Sequence, residues 1–274
     1  MLFTCAAAQT AKEHLIQGHN NYIAKNFAEA ISNYSSSLNS DSTYTDVYYY
    51  RGLCYLKLNH AENAISDFST YLNKKPAHNI GPAYENRGLC FRKLGMTDNA
   101  HIDFTSALQD STCLLSAYLL LATIHVDLSQ NDSALKNLDQ IILLIRPHKR
   151  YLPTDSSLFS TAYLMHGLIL MKYKNYTRSI IDFSEAIKFN SKNSDAYLYR
   201  GTANFKINRP SKAINDFTYL ITKSKNVDEA YYWRGVAKIS MLDKEGGLSD
   251  LEASRDLGNE DAAIAVREFK VTFK

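Results

Sequence analysis

Eight histidines and four cysteines are the residues of this 274-residue chain best suited to metal binding or nucleophilic chemistry. None of them stands in a spacing that such chemistry requires. The sequence contains no His-x-x-x-His, no Cys-x-x-Cys, no Gly-x-Ser-x-Gly and no phosphate loop. The histidines, among them His14, His60, His78 and His101, are scattered along the chain. The sequence therefore predicts no catalytic site, no metal and no cofactor.

Arginine and aspartate, by contrast, recur at one fixed spacing, with the aspartate at position i+16 from its arginine. The pairs with this spacing are Arg51 and Asp67, Arg87 and Asp103, Arg200 and Asp216, and Arg234 and Asp250. His166 and Asp182 occupy a fifth place with the same spacing. We expect each arginine to pair with an aspartate and so to bridge two helices, which fixes register more than it adds stability. The alternative is two independent exposed charges.

These pairs belong to a longer repeat, in which a small residue, a second small residue and a large apolar residue keep constant distances. The first column is Gly18, Gly52, Gly88, Ala122, Gly167, Gly201 and Gly235. The second column is Ala30, Ala64, Ala100, Ala134, Ser179, Ala213 and Gly247. The third column is Tyr34, Phe68, Phe104, Leu138, Phe183, Phe217 and Leu251. All three columns advance by identical steps of 34, 36, 34, 45, 34 and 34, which indicates an internal repeat.

The spacing has a simple physical reading as a helix, a turn and a helix. A glycine or alanine that faces the partner helix lets the two backbones approach closely, and the large residue one helical turn further on fills the space beside that contact. Each helix is roughly 14 residues, or about 21 Å, long. One such pair cannot bury its apolar face alone, so neighbouring pairs must stack on it.

The period of 34, with Tyr197, Gly201, Ala213 and Phe217 in these places, resembles the tetratricopeptide repeat. The resemblance covers seven repeats: 11–44, 45–78, 81–114, 115–148, 160–193, 194–227 and 228–261. It implies an all-α fold, a right-handed superhelical solenoid of antiparallel helix pairs. The fourth repeat departs from the family pattern, with Ala122 in place of glycine and Leu138 in place of the aromatic residue.

Three segments lie outside the repeats. Residues 1–10 form an N-terminal extension, which we interpret either as the remnant of a secretory signal or as a ragged terminus before the first helix. An inserted loop at 149–159 separates repeats 1–4 from repeats 5–7, and it is either a surface loop or a basic hinge. A capping helix and tail, 262–274, follow the last repeat, and the helical pattern itself begins at Glu260.

Composition excludes several function classes. A net charge of +3 is too small to indicate nucleic-acid binding, and no apolar run approaches the roughly 20 residues of a membrane span. Cys54 and Cys90 occupy equivalent repeat positions, where we expect small buried thiols rather than a disulfide. The sequence leaves open whether the protein is cytoplasmic or exported.

In the family that the chain resembles, the first helices of the repeats line a concave groove that binds a peptide or a helix. Three positions in each repeat face that groove, and 16 of the 21 residues at these positions are apolar here. The lysine, arginine and asparagine set with which some relatives bind a terminal carboxylate is absent from them. The candidate peptide-binding residues are Leu15, Tyr22, Tyr49, Leu53, Leu56, Glu85, Leu89, Arg92, Leu119, Leu164, Leu168, Met171, Leu198, Phe205 and Tyr232.

These observations favour a non-catalytic scaffold for protein–protein interaction. The expected partner is a protein that offers an apolar peptide or an amphipathic helix, with Glu85 and Arg92 providing polar discrimination. One alternative is an architectural subunit that uses the convex face. A less favoured alternative is RNA binding, because pentatricopeptide repeats use a similar helix pair that is one residue longer. The identity of the partner and the oligomeric state stay open.

Overall fold

The computed structural model describes residues 2–145, 155–225 and 227–272, and within these ranges the chain forms helices and no strand. It consists of two compact units, of which the first ends at Gln130 and the second begins at Asn131. The division falls inside the fourth predicted repeat. Most of the predicted loop at 149–159 lies outside the described residues, and its last residues belong to a helix that starts at Ser156.

The first compact unit contains three helix pairs and one further helix. Its helices are α1 (Leu2–Ile23), α2 (Phe27–Ser40), α3 (Thr45–Lys57), α4 (Ala61–Asn73), α5 (Ile80–Lys93), α6 (Thr97–Ala107) and α7 (Leu114–Asp127). Helices α1 and α2, α3 and α4, and α5 and α6 pack as pairs; each pair also contacts the next, and α7 packs on α6.

The second compact unit repeats this plan. Its helices are α8 (Asn131–Ile145), α9 (Ser156–Lys172), α10 (Tyr176–Phe189), α11 (Ser194–Lys206), α12 (Pro210–Thr222), α13 (Val227–Ser240), α14 (Lys244–Asp256) and α15 (Glu260–Thr272). Helix α8 packs on α9, the pairs are α9 with α10, α11 with α12, and α13 with α14, and α15 packs on α14. Helix α15 buries Ala262 and Val266 and exposes Arg267, Glu268 and Lys270.

The turn inside each helix pair is three residues long and has the same backbone form. Its central residue adopts the left-handed region, for example Lys25 at φ 64° and Asn208 at φ 58°. This conformation ends a helix and reverses the chain within a few residues. The turn therefore brings the two helices of a pair together in antiparallel orientation.

The close contact between the helices of a pair is confirmed. A Cβ atom built on Gly201 would lie 2.6 Å from Cε1 of Phe217, and one built on Gly235 would lie 2.8 Å from the carbonyl oxygen of Gly247. Neither position has room for a side chain. The large residues of the third column, from Tyr34 to Leu251, are all at most 1% exposed. Glycine and the large residue thus form the core of each pair, as the spacing predicts.

Helix starts differ from the sequence-based boundaries in some places. Helix α1 begins at Leu2, so the described part of the predicted extension belongs to the first helix. Helices α3 and α11 begin at the predicted residues, Thr45 and Ser194. The residue before α11 caps it, because the side chain of Asn193 accepts a hydrogen bond from the Ala196 amide at 3.2 Å.

Candidate functional site

The candidate residues of the first compact unit lie on α1, α3, α5 and α7 and are mostly half-buried. Leu15 and Tyr22 pack against the core around Tyr34, and Leu53 and Leu56 pack against the core around Phe68. Each of these four side chains keeps part of its surface open to a ligand.

Tyr49 differs from the other candidates of this unit because it belongs to the core. It is 8% exposed, and its ring centroid lies 5.9 Å from that of Phe68 and 5.3 Å from that of Tyr71. A side chain so enclosed has little surface to offer a ligand. Its position in the repeat faces the expected groove, but the neighbouring aromatic rings cover it.

Glu85 and Arg92, the two charged candidates, both bond to α7. The Ser116 hydroxyl donates to Oε1 of Glu85, and Nη2 of Arg92 lies 2.9 Å from Oδ2 of Asp127. The Arg92 pair is exposed at both ends, so a ligand can compete for the guanidinium at small cost. The Glu85 carboxyl is half-buried, and burial raises its pKa, although the bond from Ser116 opposes this in part.

Glu85→Gln is expected to stabilise the first compact unit at pH 7 and to remove one component of its pH dependence. The folded state binds the proton of Glu85 more tightly than the unfolded state, because its pKa is raised. This component of the free energy of unfolding therefore falls as the pH rises above the unfolded pKa. Urea unfolding of both proteins at pH 4.5 and pH 7 measures it. A loss of stability at pH 7 in Glu85→Gln would contradict the assignment.

The candidates of the second compact unit form an apolar surface across α9, α11 and α13, which lie side by side. Leu164, Leu168, Met171, Phe205 and Tyr232 are all half-buried, and none of them carries a charge. This five-residue surface is referred to below as the second-unit apolar surface.

The structure removes Leu198 from the predicted apolar surface and places Trp233 beside it. Leu198 is 3% exposed and packs with Ala213 and Phe217, so it belongs to the core instead. Trp233, the single tryptophan of the chain, is half-buried, and its ring centroid lies 6.0 Å from that of Phe205. Sequence reasoning missed it because it stands two residues before Gly235, outside the three expected positions. The only signal for it was the rarity of the residue type.

The predicted arginine–aspartate pairs are confirmed in all four repeats. Each arginine donates from Nε and Nη2 to the two carboxylate oxygens of its aspartate, at 2.6–3.0 Å. Nη1 also donates to a hydroxyl on the second helix of the preceding repeat, which sequence reasoning missed. These hydroxyls belong to Ser35, Ser69, Ser184 and Thr218. Each arginine thus joins three helices and sets the position of its own first helix.

The fifth repeat uses a histidine in the same place. His166 is 6% exposed, and its Nδ1 lies 2.7 Å from Oδ2 of Asp182. Its Nε2 lies 3.5 Å from Oδ1 of Asp139, which occupies the place of the hydroxyl on the preceding helix, α8. The bridge between three helices is retained, with two carboxylates and an imidazole.

The described cysteine thiols are poor nucleophiles. Burial raises the pKa of the Cys54 thiol to about 12 and that of the Cys90 and Cys113 thiols to about 11, which suppresses the nucleophilic thiolate. Among the described residues, no group of three or more His, Cys, Asp or Glu side chains is placed to hold a metal ion. None of the described helices combines the length and the apolar character needed to cross a membrane.

Comparison with known proteins matches one segment of the chain to a family. The family model of the tetratricopeptide repeat matches residues 46–78. No curated protein matches the chain.

Several solved structures share the fold. The C-terminal part of a repeat-containing protein from Cytophaga hutchinsonii is 19% identical with a TM-score of 0.73, covering 90% of this chain and 96% of its own. A tetratricopeptide-repeat protein from Parabacteroides merdae is 18% identical with a TM-score of 0.62, covering 97% of this chain and all of its own. YrrB, described as having an unusual peptide-binding site, is 15% identical with a TM-score of 0.61, covering 73% of this chain and 97% of its own.

The matched segment coincides with the second predicted repeat, and the helix pairs of both compact units share the geometry of these structures. The glycine and large-residue columns recur in the other repeats with the same packing. Residues 46–78 therefore match the tetratricopeptide-repeat family, and the described helix pairs have the fold of tetratricopeptide-repeat structures, as the sequence predicts.

Proposed function

We propose that this protein is a non-catalytic scaffold that binds an apolar peptide or an amphipathic helix on the first helices of its repeats. Protein binding is typical of tetratricopeptide repeats. The observation that carries the proposal is the second-unit apolar surface, in which three adjacent helices contribute five partly accessible, uncharged side chains. Such a surface binds by removing apolar area from water, which contributes about 25 cal/mol per Å² before ordering costs.

The first compact unit supports a more selective form of the same binding mode. Leu53, Leu56 and Leu89 are partly accessible apolar residues, and Glu85 and Arg92 stand beside them. A partner with a suitably placed charge can replace the exposed Asp127 as the ligand of Arg92 at small cost. The similarity to YrrB, which is described as having a peptide-binding site, is consistent with this proposal.

A selection of random peptides displayed on phage, with the full chain as target, tests the proposal. We expect the selected peptides to carry apolar residues at helical or alternating spacing. Leu168→Glu places a charge in the centre of the second-unit apolar surface and should lower the affinity of these peptides for the chain by at least tenfold. Leu143→Glu is the matched control, because Leu143 lies on a second helix, α8, and is 55% exposed.

The outcomes separate the proposal from its rival. Peptides that lose affinity for Leu168→Glu alone, while both variants unfold like the unmodified chain, support binding on the first helices. Peptides that bind both variants equally would refute it. Loss of affinity in Leu143→Glu alone would favour the architectural alternative, which uses the second helices.

A further inference from the structure

A cavity of about 300 Å³ opens in the second compact unit where α10, α11 and α12 meet. The side chains that matter here are those of Ser184, Arg200, Asn204, Arg209, Lys212 and Asp216. None of them belongs to the second-unit apolar surface, so the function of this cavity is independent of the peptide-binding proposal.

The cavity exists because one repeat position carries a short side chain. Asn204 stands three residues after Gly201, and its equivalents in the other repeats that have a preceding neighbour are Tyr55, Phe91, His125, Leu170 and Lys238. The rings of Tyr55 and Phe91 lie 6.0 and 5.7 Å from the guanidinium carbons of Arg51 and Arg87. Nζ of Lys238 reaches Oδ2 of Asp250 at 2.8 Å. Asparagine is too short to cover Arg200 in the same way.

Asn204 also contributes an unsatisfied polar atom. Its side chain is 3% exposed, and Nδ2 donates to the backbone oxygen of Arg200 at 3.0 Å. Its Oδ1 has no hydrogen-bond partner among the described residues. A buried acceptor without a partner costs about 1–3 kcal/mol. This acceptor is enclosed and does not itself attract an anion, so Asn204 shapes the cavity through its short side chain.

Positive charge dominates the rim of the cavity. Arg200 is neutralised by Asp216, but Arg209 and Lys212 have no ion-pair partner in the described part of the chain, which leaves two uncompensated charges. Helix α12 begins beside them, and its first turn contains no acidic residue. Uncompensated cations attract anions.

The bonds of Arg200 to Asp216 and Ser184 do not use all of its N–H groups. Its guanidinium carries five N–H groups, of which Nε and Nη2 each use one on Asp216 and Nη1 uses one on Ser184 at 3.3 Å. The corresponding bonds of Arg51, Arg87 and Arg234 are 2.9, 3.0 and 3.3 Å long. Two N–H groups of Arg200 thus have no hydrogen-bond partner among the described residues, and Arg200 lines the cavity.

We propose that this cavity binds a phosphate group, with Arg209 and Lys212 opposing its charge and Arg200 donating to its oxygens. Two free cations match the charge of a phosphate dianion, and guanidinium groups suit its several acceptor oxygens. The phosphate group can come from free phosphate or from a phosphorylated side chain of a partner protein. The cavity is open enough to admit either.

Calorimetric titration of the full chain with inorganic phosphate, at constant ionic strength, tests the proposal. We expect phosphate to bind the unmodified chain saturably. Its affinity should fall at least tenfold in Lys212→Glu, and Asn204→Tyr should show no detectable binding. The second variant restores the ring that covers the equivalent arginine in two other repeats, and circular dichroism should show an unchanged helix content. Arg178→Ala is the matched control, because Arg178 holds the same position as Lys212 in a repeat where Leu170 fills the place of Asn204. It should bind phosphate like the unmodified chain.

Two further ligands define the chemistry and its source. Acetate should bind at least tenfold more weakly than phosphate, and O-phosphoserine should bind more tightly than inorganic phosphate if a phosphorylated partner is the source. Absence of phosphate binding, equal binding of acetate, or undiminished binding in both Lys212→Glu and Asn204→Tyr would overturn the proposal.

Discussion

Phe217→Ala is expected to lower the free energy of unfolding of the second compact unit by about 3–5 kcal/mol, the usual cost of emptying a buried aromatic site. Phe217 is fully buried, and its ring fills the space that Gly201 leaves free. Truncation to alanine leaves a cavity beside Gly201, because the Phe217 ring fills the space between the two helices. Urea unfolding followed by the fluorescence of Trp233 reports on this part of the chain directly.

The matched control for this prediction is Ile181→Ala. Ile181 lies on α10 and is 58% exposed, so its truncation should change the free energy of unfolding by less than about 0.5 kcal/mol. Because stability in stacked repeats is mostly a sum of local terms, the loss in Phe217→Ala should appear around Trp233. Equal effects of the two substitutions would show that Phe217 is not the packing centre of its pair.

Asp216→Ala is expected to lower the free energy of unfolding of the second compact unit by about 3 kcal/mol. This is the lower end of the range for breaking a buried ion pair. The substitution removes two bonds, of 3.0 and 2.6 Å, from the Arg200 guanidinium. Arg200 keeps 24% of its side chain exposed, so water compensates the stranded charge in part. Burial raises the pKa of Asp216, and the bonds from Arg200 oppose that shift. The same fluorescence-detected unfolding measures the loss.

Two further variants show whether the loss comes from the stranded charge. Asp127→Ala breaks the ion pair with Arg92, which is exposed at both ends. It should lower the free energy of unfolding by only about 0–1 kcal/mol. The double variant Arg200→Leu with Asp216→Leu should recover most of the stability, since apolar replacement of a buried pair is often neutral. A double variant as unstable as Asp216→Ala would instead make the pair itself the stabilising element.

Local sequence patterns predicted the fold and the core because both depend on contacts inside one repeat. Gly201 and Phe217 stand at positions i and i+16 of the same helix pair, as do Arg200 and Asp216. Their distance along the chain therefore translates directly into a contact across one turn. Helix starts such as Ser156 were less predictable, because packing against the neighbouring helices decides how far a helix extends.

The candidate site was less predictable because it depends on the neighbouring repeat. Tyr49 and Leu198 occupy groove positions by register, yet adjacent aromatic and apolar side chains bury them. The bond from Arg200 to Ser184 and the cavity beside Asn204 also require a second repeat at a definite distance. Residue types at fixed spacing describe one repeat, whereas these features arise where two repeats meet.

The arginine and aspartate of each three-helix bridge belong to one repeat, and the preceding repeat contributes only a neutral hydroxyl. A gene duplication that adds or removes a whole copy consequently carries both charges together and strands neither. Length can then change during evolution by one complete copy at a time without an electrostatic penalty. The copy that contains His166 is the exception, because Asp139 of the helix before it supplies a second carboxylate. That copy is matched to its neighbour, whereas the bridges of 194–227 and 228–261 each need only a hydroxyl from the copy before them.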